Sequence, residues 1–519
     1  MSKIRFNEDW FHFFHSRYYG KIKVDEKHLK EFIYQYKNTQ ITDFSMNVNA
    51  RVSSFPSKVL QSFCDKYLLK EENGKAVDYT DTFAALAYDI FIRQGLDMYK
   101  IWIDALREIG IRPWISVRMN DCHANINETN ILHSDFYHAH PEIRRVKHRS
   151  PDKTLKRVAD DVMYFEDCYD YALDIVRNQM YAYIEEVFER YDMDGLELDF
   201  TRELPCFAIG EEAKGREIMT AFLGEIKALA DSFSKKRGRN IEISVLVNSC
   251  PIRNYEWGLD VVEWAKRGYI NSVIALPRWQ STDTNIPVKL WKDLLSQYGV
   301  EFAAGNQILV SDDPNEYGYT GTLETDLGAI AVYRSAGADF AYIYNHMDLF
   351  YEGYPKTKRW IDDDDLCEKS LHPDKLQKLF TTAGDKEKTI NSRRRHLASF
   401  HDFPLYYEKQ VSPLPLKCED SRIYQFVKIN IGEVPKGAKM HIIIGTKSEE
   451  KLCENDFNFR VNSKPVKFCE VSTLSDNCHG WMFEIENDGS LQDSAVVELS
   501  TTGKAFDAVH AEIMITPQN

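Results

Sequence analysis

Much is missing from this 519-residue sequence, and each absence removes a class of protein. No stretch reaches the roughly 18 consecutive apolar residues that a membrane-spanning helix requires. The N-terminal run Met1-Ser2-Lys3-Ile4-Arg5-Phe6-Asn7-Glu8 lacks the apolar core of a secretory signal. Positive charge is in deficit: 65 Lys and Arg face 80 Asp and Glu, a formal net charge of −15. That balance argues against nucleic acid and anionic membrane as partners, because no basic stripe offsets it. The basic run Lys235-Lys236-Arg237-Gly238-Arg239 falls between a helical and a strand pattern and reads as a solvated loop, and the acidic run 362–365 as a surface turn. The ten cysteines show no paired CxxC spacing and read as free thiols rather than a disulfide frame. Short repeats and low-complexity segments are absent too. These features predict a soluble, cytoplasmic chain.

What is present is enough apolar material for a large core: 43% hydrophobic and 13% aromatic residues, with nine Trp. Most of these rings belong in the core, though such a content also suits a sugar-handling cleft. The length fits two or three ordinary domains, or one barrel with a smaller module. Up to about residue 350, helical patterns alternate with short apolar or β-branched runs, the signature of repeated βα units. Helical patterns at 26–36, 82–109 and 168–191 precede strand patterns at 43–49, 113–118 and 194–200. Further strands are expected at 241–247, 272–277, 301–305 and 339–344. A first strand at Trp10 to His15 would make the eight of a closed (β/α)₈ TIM barrel. From about 404 the pattern changes to strict alternation, as in Val427 to Ile431, Met440 to Ile444, Phe457 to Val461, Trp481 to Ile485 and Ala511 to Ile515. This predicts an antiparallel β-sandwich. The expected division is a barrel over 1–400, closed by a helix over 390–400, and a sandwich over 401–519.

The chemistry centres on the fourth strand, Asp194-Gly195-Leu196-Glu197-Leu198-Asp199-Phe200. Side chains alternate across a strand, so the apolar set faces the helices while Glu197 and Asp199 point into the barrel. Asp199 is placed at the C-terminal mouth, where active sites of this architecture lie, and Glu197 deeper. Stacked carboxylates are costly unless donors or cations offset them, and shifted carboxyl pKa values serve acid/base chemistry. The alternative is a buried ion pair that merely orders the barrel. The same alternation turns Ser45, Asn47 and Asn49 inward from the second strand, and Trp114, Ser116 and Arg118 from the third. Arg118 is the expected counter-ion of Glu197 or Asp199. An ordinary loop cap is the competing role for each Asn.

After the third strand, Asn120, Asp121 and His123 open a loop of roughly forty residues, of the kind that shapes binding sites. Asp121 and His123 are candidates for binding substrate hydroxyls or for acid/base work. The His residues here lack regular ligand spacing, so no metal site is assigned and no cofactor is expected. After the sixth strand, Trp279 offers a stacking platform beside Asp283; its alternative role is to cap the barrel. Gln307 follows the seventh strand and Asn345 the eighth.

Three segments, 44–49, 113–121 and 194–200, resemble TIM-barrel glycoside hydrolases, in particular the loosely defined "family 10 glycosyl-hydrolase-like" bacterial proteins with a C-terminal β-sandwich. The resemblance implies a hydrolase acting on glycosides and leaves the sugar open. Chitinase-like barrels place a catalytic Glu two residues after the last Asp of a similar strand, where this chain has Thr201. Retaining enzymes of the largest barrel clan pair an Asn-Glu after strand four with a Glu after strand seven, where this chain has Arg202-Glu203 and Gln307.

The leading expectation is therefore an exo-acting glycoside hydrolase on oligosaccharides. Asp199 is one carboxylate, Glu197 and Arg118 tune it, and Glu203 or Asp283 supplies the partner, with Asp121 also a candidate. A non-catalytic carbohydrate-binding barrel is the alternative that Gln307 keeps open. A metal-dependent hydrolase comes third, since His12-Phe13-Phe14-His15 has the wrong parity for a His-x-His pair. The sandwich reads as a cap, a glycan binder or a dimerisation unit, which leaves a homo-oligomer open.

Overall fold

The computed structural model describes residues 2–10, 13–14, 23–72, 79–122, 129–145, 167–277, 282–307, 309–310, 319–344, 373–399, 413–475 and 478–518. Eight parallel strands close into a barrel: β1 (Ile4–Glu8), β2 (Ile41–Asn47), β3 (Arg112–Arg118), β4 (Gly195–Asp199), β5 (Glu242–Asn248), β6 (Ser272–Leu276), β7 (Glu301–Asn306) and β8 (Ala341–Tyr344), which returns to β1. Seven of them lie where the alternation of the sequence puts them. The first does not. The aromatic run from Trp10 is not the strand: Trp10, Phe13 and Phe14 are buried among Phe32, Phe63 and Trp102 outside it. The true β1, Ile-Arg-Phe-Asn-Glu, hides its period because its inward positions, Arg5 and Asn7, are polar and paired within the barrel.

The outward residues of the strands, among them Phe6, Phe44, Met46, Ile115, Val117, Leu196, Leu198 and Val245, join the helices in one large core. Burying each such side chain stabilises the fold by about 1.5–3 kcal/mol. The interior is divided lengthwise. Leu246, Ile274, Leu276, Ala303, Phe340, Tyr342 and Tyr344 form a separate apolar cluster on one wall. The opposite wall, from β1 to β4, carries Arg5, Asn7, Asp43, Ser45, Asn47, Ser116, Arg118, Glu197 and Asp199, all buried.

A plug of rings and charge fills the N-terminal half of the interior. Arg5 lies over the Trp114 ring, 3.8 Å from its centroid, and donates to Ser272 Oγ at 3.0 Å. Trp114 Nε1 donates to Asp43 Oδ1 at 2.8 Å. A desolvated cation–π contact of this kind contributes about 2 kcal/mol. Gly195 is required here, since a Cβ at that position would stand only 2.2 Å from Cε3 of the Trp114 ring.

The C-terminal part is a sandwich of a six-stranded and a four-stranded sheet. Its expected strands are present, and Lys467–Ser475 and Asp493–Thr501 add to them. The helix expected over 390–400 is instead a strand, Arg394–Leu397, antiparallel to Phe506–Thr516. Its cause is side-chain pairing: Arg395 forks onto the buried Glu512, with Nη2 at 2.6 Å from Oε2. This strand presses on the barrel helix Leu323–Ser335, where Gly328 meets the Arg395 carbonyl so closely that a Cβ would clash. Asn430 Nδ2 donates to Thr284 O at 2.9 Å and Glu433 N to Ser335 Oγ at 3.0 Å across the same junction. Among the described residues, no helix is long and apolar enough to cross a membrane.

Candidate active site

The C-terminal end of β4 turns sharply, and Asp199 is held by that turn. Its Oδ1 accepts Thr201 N at 2.8 Å, Thr201 Oγ1 at 2.7 Å and Arg202 N at 3.1 Å. Tyr344 OH donates to Oδ2 at 3.1 Å. Oδ1 is thus saturated, and Oδ2, with one donor, is the oxygen able to take part in chemistry. Thr201, standing where a chitinase-like barrel has its acid, positions Asp199 here. Burial, and next the charge of Asp199, push the Tyr344 phenol well above its ordinary range, so it stays a donor.

Arg118 lies at the same height but is not bonded to either acidic residue of β4. Its Nη1 donates to Asp121 Oδ2 at 3.3 Å and its Nη2 to Asp9 Oδ2. The expected pairing with Glu197 or Asp199 is therefore replaced by a bridge between Asp9 and Asp121. Asn49 braces the neighbouring strands, exchanging two 3.0 Å bonds with the Arg118 main chain. Asn120 likewise donates to the carbonyls of Tyr169 and Pro205 and accepts from Tyr169 N. With their amides committed to backbone, Asn49 and Asn120 shape the mouth. Asn47 is different: its Nδ2 makes only a long 3.5 Å contact with Ser116 O, and its Oδ1 is buried without a partner.

Glu197 sits one layer below, fully buried, and accepts from Asn7 Nδ2 at 2.7 Å. Burial pushes its carboxyl above the ordinary range, against the opposing pull of Arg5 and Asn7. Its neighbour in the interior is thus Arg5, on the strand that the sequence pattern conceals. Glu197 Oε2, Arg5 Nε and Nη2, and Tyr342 OH are buried polar atoms without partners, as are the hydroxyls of Ser45, Ser116 and Ser244.

The other expected residues scatter. Glu203 is buried; burial, and next Cys168, push the Cys122 thiol up, with a smaller contribution from the charge of Glu203. Asp283 Oδ1 accepts Asn285 N at 2.8 Å and Asn285 Nδ2 at 3.0 Å, closing a turn beside the sandwich. Gln307 Nε2 donates to Pro277 O at 2.5 Å, tying the ends of β6 and β7, while its Oε1 is buried without a partner. His123, Trp279 and Asn345 lie outside the described residues, as do His12 and His15. Residues not anticipated are Asp9, Tyr344 and Arg51. Arg51 donates to Asp121 O at 2.7 Å, contacts His133 Nδ1 at 2.7 Å and lies 4.3 Å from the Tyr137 centroid. Asp9 was hidden by the misplaced first strand, and Tyr344 by its apolar setting.

No family model and no curated protein match the sequence. Solved structures with a similar course of the chain include glycoside hydrolases and a glucanotransferase. A GH36 α-galactosidase from Geobacillus stearothermophilus is 12% identical at a TM-score of 0.35, covering 96% of this chain and 55% of its own. A glycoside hydrolase family 18 N-acetylglucosaminidase from Paenibacillus barengoltzii is 11% identical at 0.35, over 72% of this chain and 100% of its own. A cycloisomaltooligosaccharide glucanotransferase from Paenibacillus sp. is 8% identical at 0.34, over 98% of this chain and 57% of its own. The chain thus spans little more than half the length of the galactosidase and the glucanotransferase.

Proposed function

We propose that this chain hydrolyses glycosidic bonds of oligosaccharides at the C-terminal mouth of the barrel, with Asp199 Oδ2 as one reacting oxygen. One observation carries the reading: a carboxylate fixed by four donors stands among buried polar atoms of both kinds at the strand ends. Asn47 Oδ1 and Gln307 Oε1 are acceptors without partners, and Arg118 Nε and Asn248 Nδ2 are donors without partners. Buried groups left unpaired cost about 1–3 kcal/mol each. A ligand carrying many hydroxyls, each donor and acceptor at once, satisfies such a mixed set. The fixed carboxylate gives the anion that a glycosidase sets against an oxocarbenium-like transition state.

The test is turnover of a panel of aryl glycosides and oligosaccharides, with product analysis to check the exo mode. Asp199→Asn, which keeps the shape of the side chain, is expected to abolish turnover while the melting temperature stays within a few degrees of wild type. An active Asp199→Asn enzyme removes the assignment. Tight sugar binding with no turnover by the wild type favours the non-catalytic barrel instead.

A further inference from the structure

We propose that Asp9 supplies the second reacting carboxyl group, acting with Asp199 across the Arg118 guanidinium. The inference deepens the glycosidase reading and rests on it. Asp9 directly follows the last residue of β1, so it stands at the same end of the barrel as Asp199 at the end of β4. It is 5% exposed, and Arg118 Nη2 donates to its Oδ2. Tyr344 donates its hydroxyl to Asp199 Oδ2, and Arg118, in register with Asp199 on the neighbouring strand, links that layer to Asp9. Arg118 Nε, buried and without a partner, is a further donor there.

The competing carboxylates are held differently. Asp121 shares Arg118, but its main-chain carbonyl is bound by Arg51 and its charge bears on Tyr169 in the loop beyond the mouth. Asp283 closes its turn beside the sandwich, and Glu197 is bound to Asn7 a layer deeper.

In the reaction the bond from the anomeric carbon to the leaving oxygen breaks, and that oxygen receives a proton. Water adds its oxygen to the same carbon and gives up a proton, so one glycoside and one water yield a free sugar and an alcohol. Asp9 and Asp199 divide the two duties, protonating the leaving oxygen and assisting the incoming one.

The experiment uses the aryl glycoside that the wild type turns over fastest, with Asp9→Ala and Asp121→Ala assayed with and without sodium azide. Asp9→Ala is expected to lose about a hundredfold to ten-thousandfold in kcat. Azide should restore part of that rate and give a glycosyl azide product. Asp121→Ala should lose less and gain nothing from azide. If Asp9→Ala fails to fold, Asp9→Asn keeps an acceptor for Arg118 and is read by its pH profile, which should lose one limb of the wild-type bell. Activity of Asp9→Ala within tenfold of wild type, a loss that azide does not restore, or an unchanged bell in Asp9→Asn overturns the assignment of Asp9 alone. A wild type inactive on the whole panel overturns the glycosidase reading and Asp9 with it.

Discussion

Gly195→Ala should damage this barrel far more than one methyl group ordinarily does. The added Cβ would stand 2.2–2.4 Å from Cε3, Cδ2 and Cζ3 of Trp114, far inside van der Waals contact. That ring cannot step aside freely, because Nε1 is bonded to Asp43 at 2.8 Å and Arg5 lies on its face at 3.8 Å from the centroid. Overpacking a rigid core costs roughly 1–3 kcal/mol. Moving the ring also forfeits a hydrogen bond to a buried carboxylate, worth about 1.5–3 kcal/mol. The sum is about 2.5–6 kcal/mol, to be measured as a shift of the urea midpoint at unchanged slope. A double-mutant cycle isolates the cause. In a Trp114→Phe background the outer ring is gone, so the same Gly195→Ala change should cost at least about 1 kcal/mol less. A loss below about 1 kcal/mol in the wild type, or an equal loss in both backgrounds, refutes the argument that Gly195 exists to admit the indole.

Thr201→Val removes one of three donors on Asp199 Oδ1 and leaves both backbone donors in place; kcat should fall about tenfold, one charged hydrogen bond's worth, with KM little changed, as steady-state kinetics on the panel will show. Stability should also fall in acid, in two stages followed by urea titrations at stepped pH. Burial, then Arg394, hold the folded pKa of His396 well below 6.5, so its neutral form stabilises the fold above pH 6.5 and that stability declines below it by about 1.4 kcal/mol per unit. Glu512, buried but held down to about 2 chiefly by Arg395, adds about 3 kcal/mol that is lost as the pH falls from 4.5 through 2. His396→Phe should remove the first stage and keep the second.

The barrel was legible because β2 to β5 alternate apolar outward with largely polar inward residues, and β6 to β8 stand as short, mostly apolar runs at regular spacing after helical patterns. The acidic strand was legible for the same reason. Leu196 and Leu198 declare which way Glu197 and Asp199 must point. What failed was β1, whose inward face carries Arg5 and Asn7 and whose neighbour is a run of aromatics. That one misplacement concealed Asp9 and the true neighbour of Glu197, and left Arg118 as the only cation in view. The strand Arg394–Leu397 was illegible because its pairing depends on Glu512, 117 residues away in the chain. The roles of Asn49 and Asn120 depend on distant carbonyls too, which no local pattern encodes.

The lengthwise division of the interior separates two kinds of variation. On the wall built by Leu246, Ile274, Leu276 and Ala303, exchange among aliphatic residues alters the contour of the interior and leaves every charge where it was. On the wall built by Arg5, Asp43, Arg118, Glu197 and Asp199, almost any exchange strands a buried partner. A lineage of such barrels can therefore drift in what shape it admits while its electrostatics stay fixed. Sequence libraries aimed at altered ligand preference belong on the β5 to β7 wall.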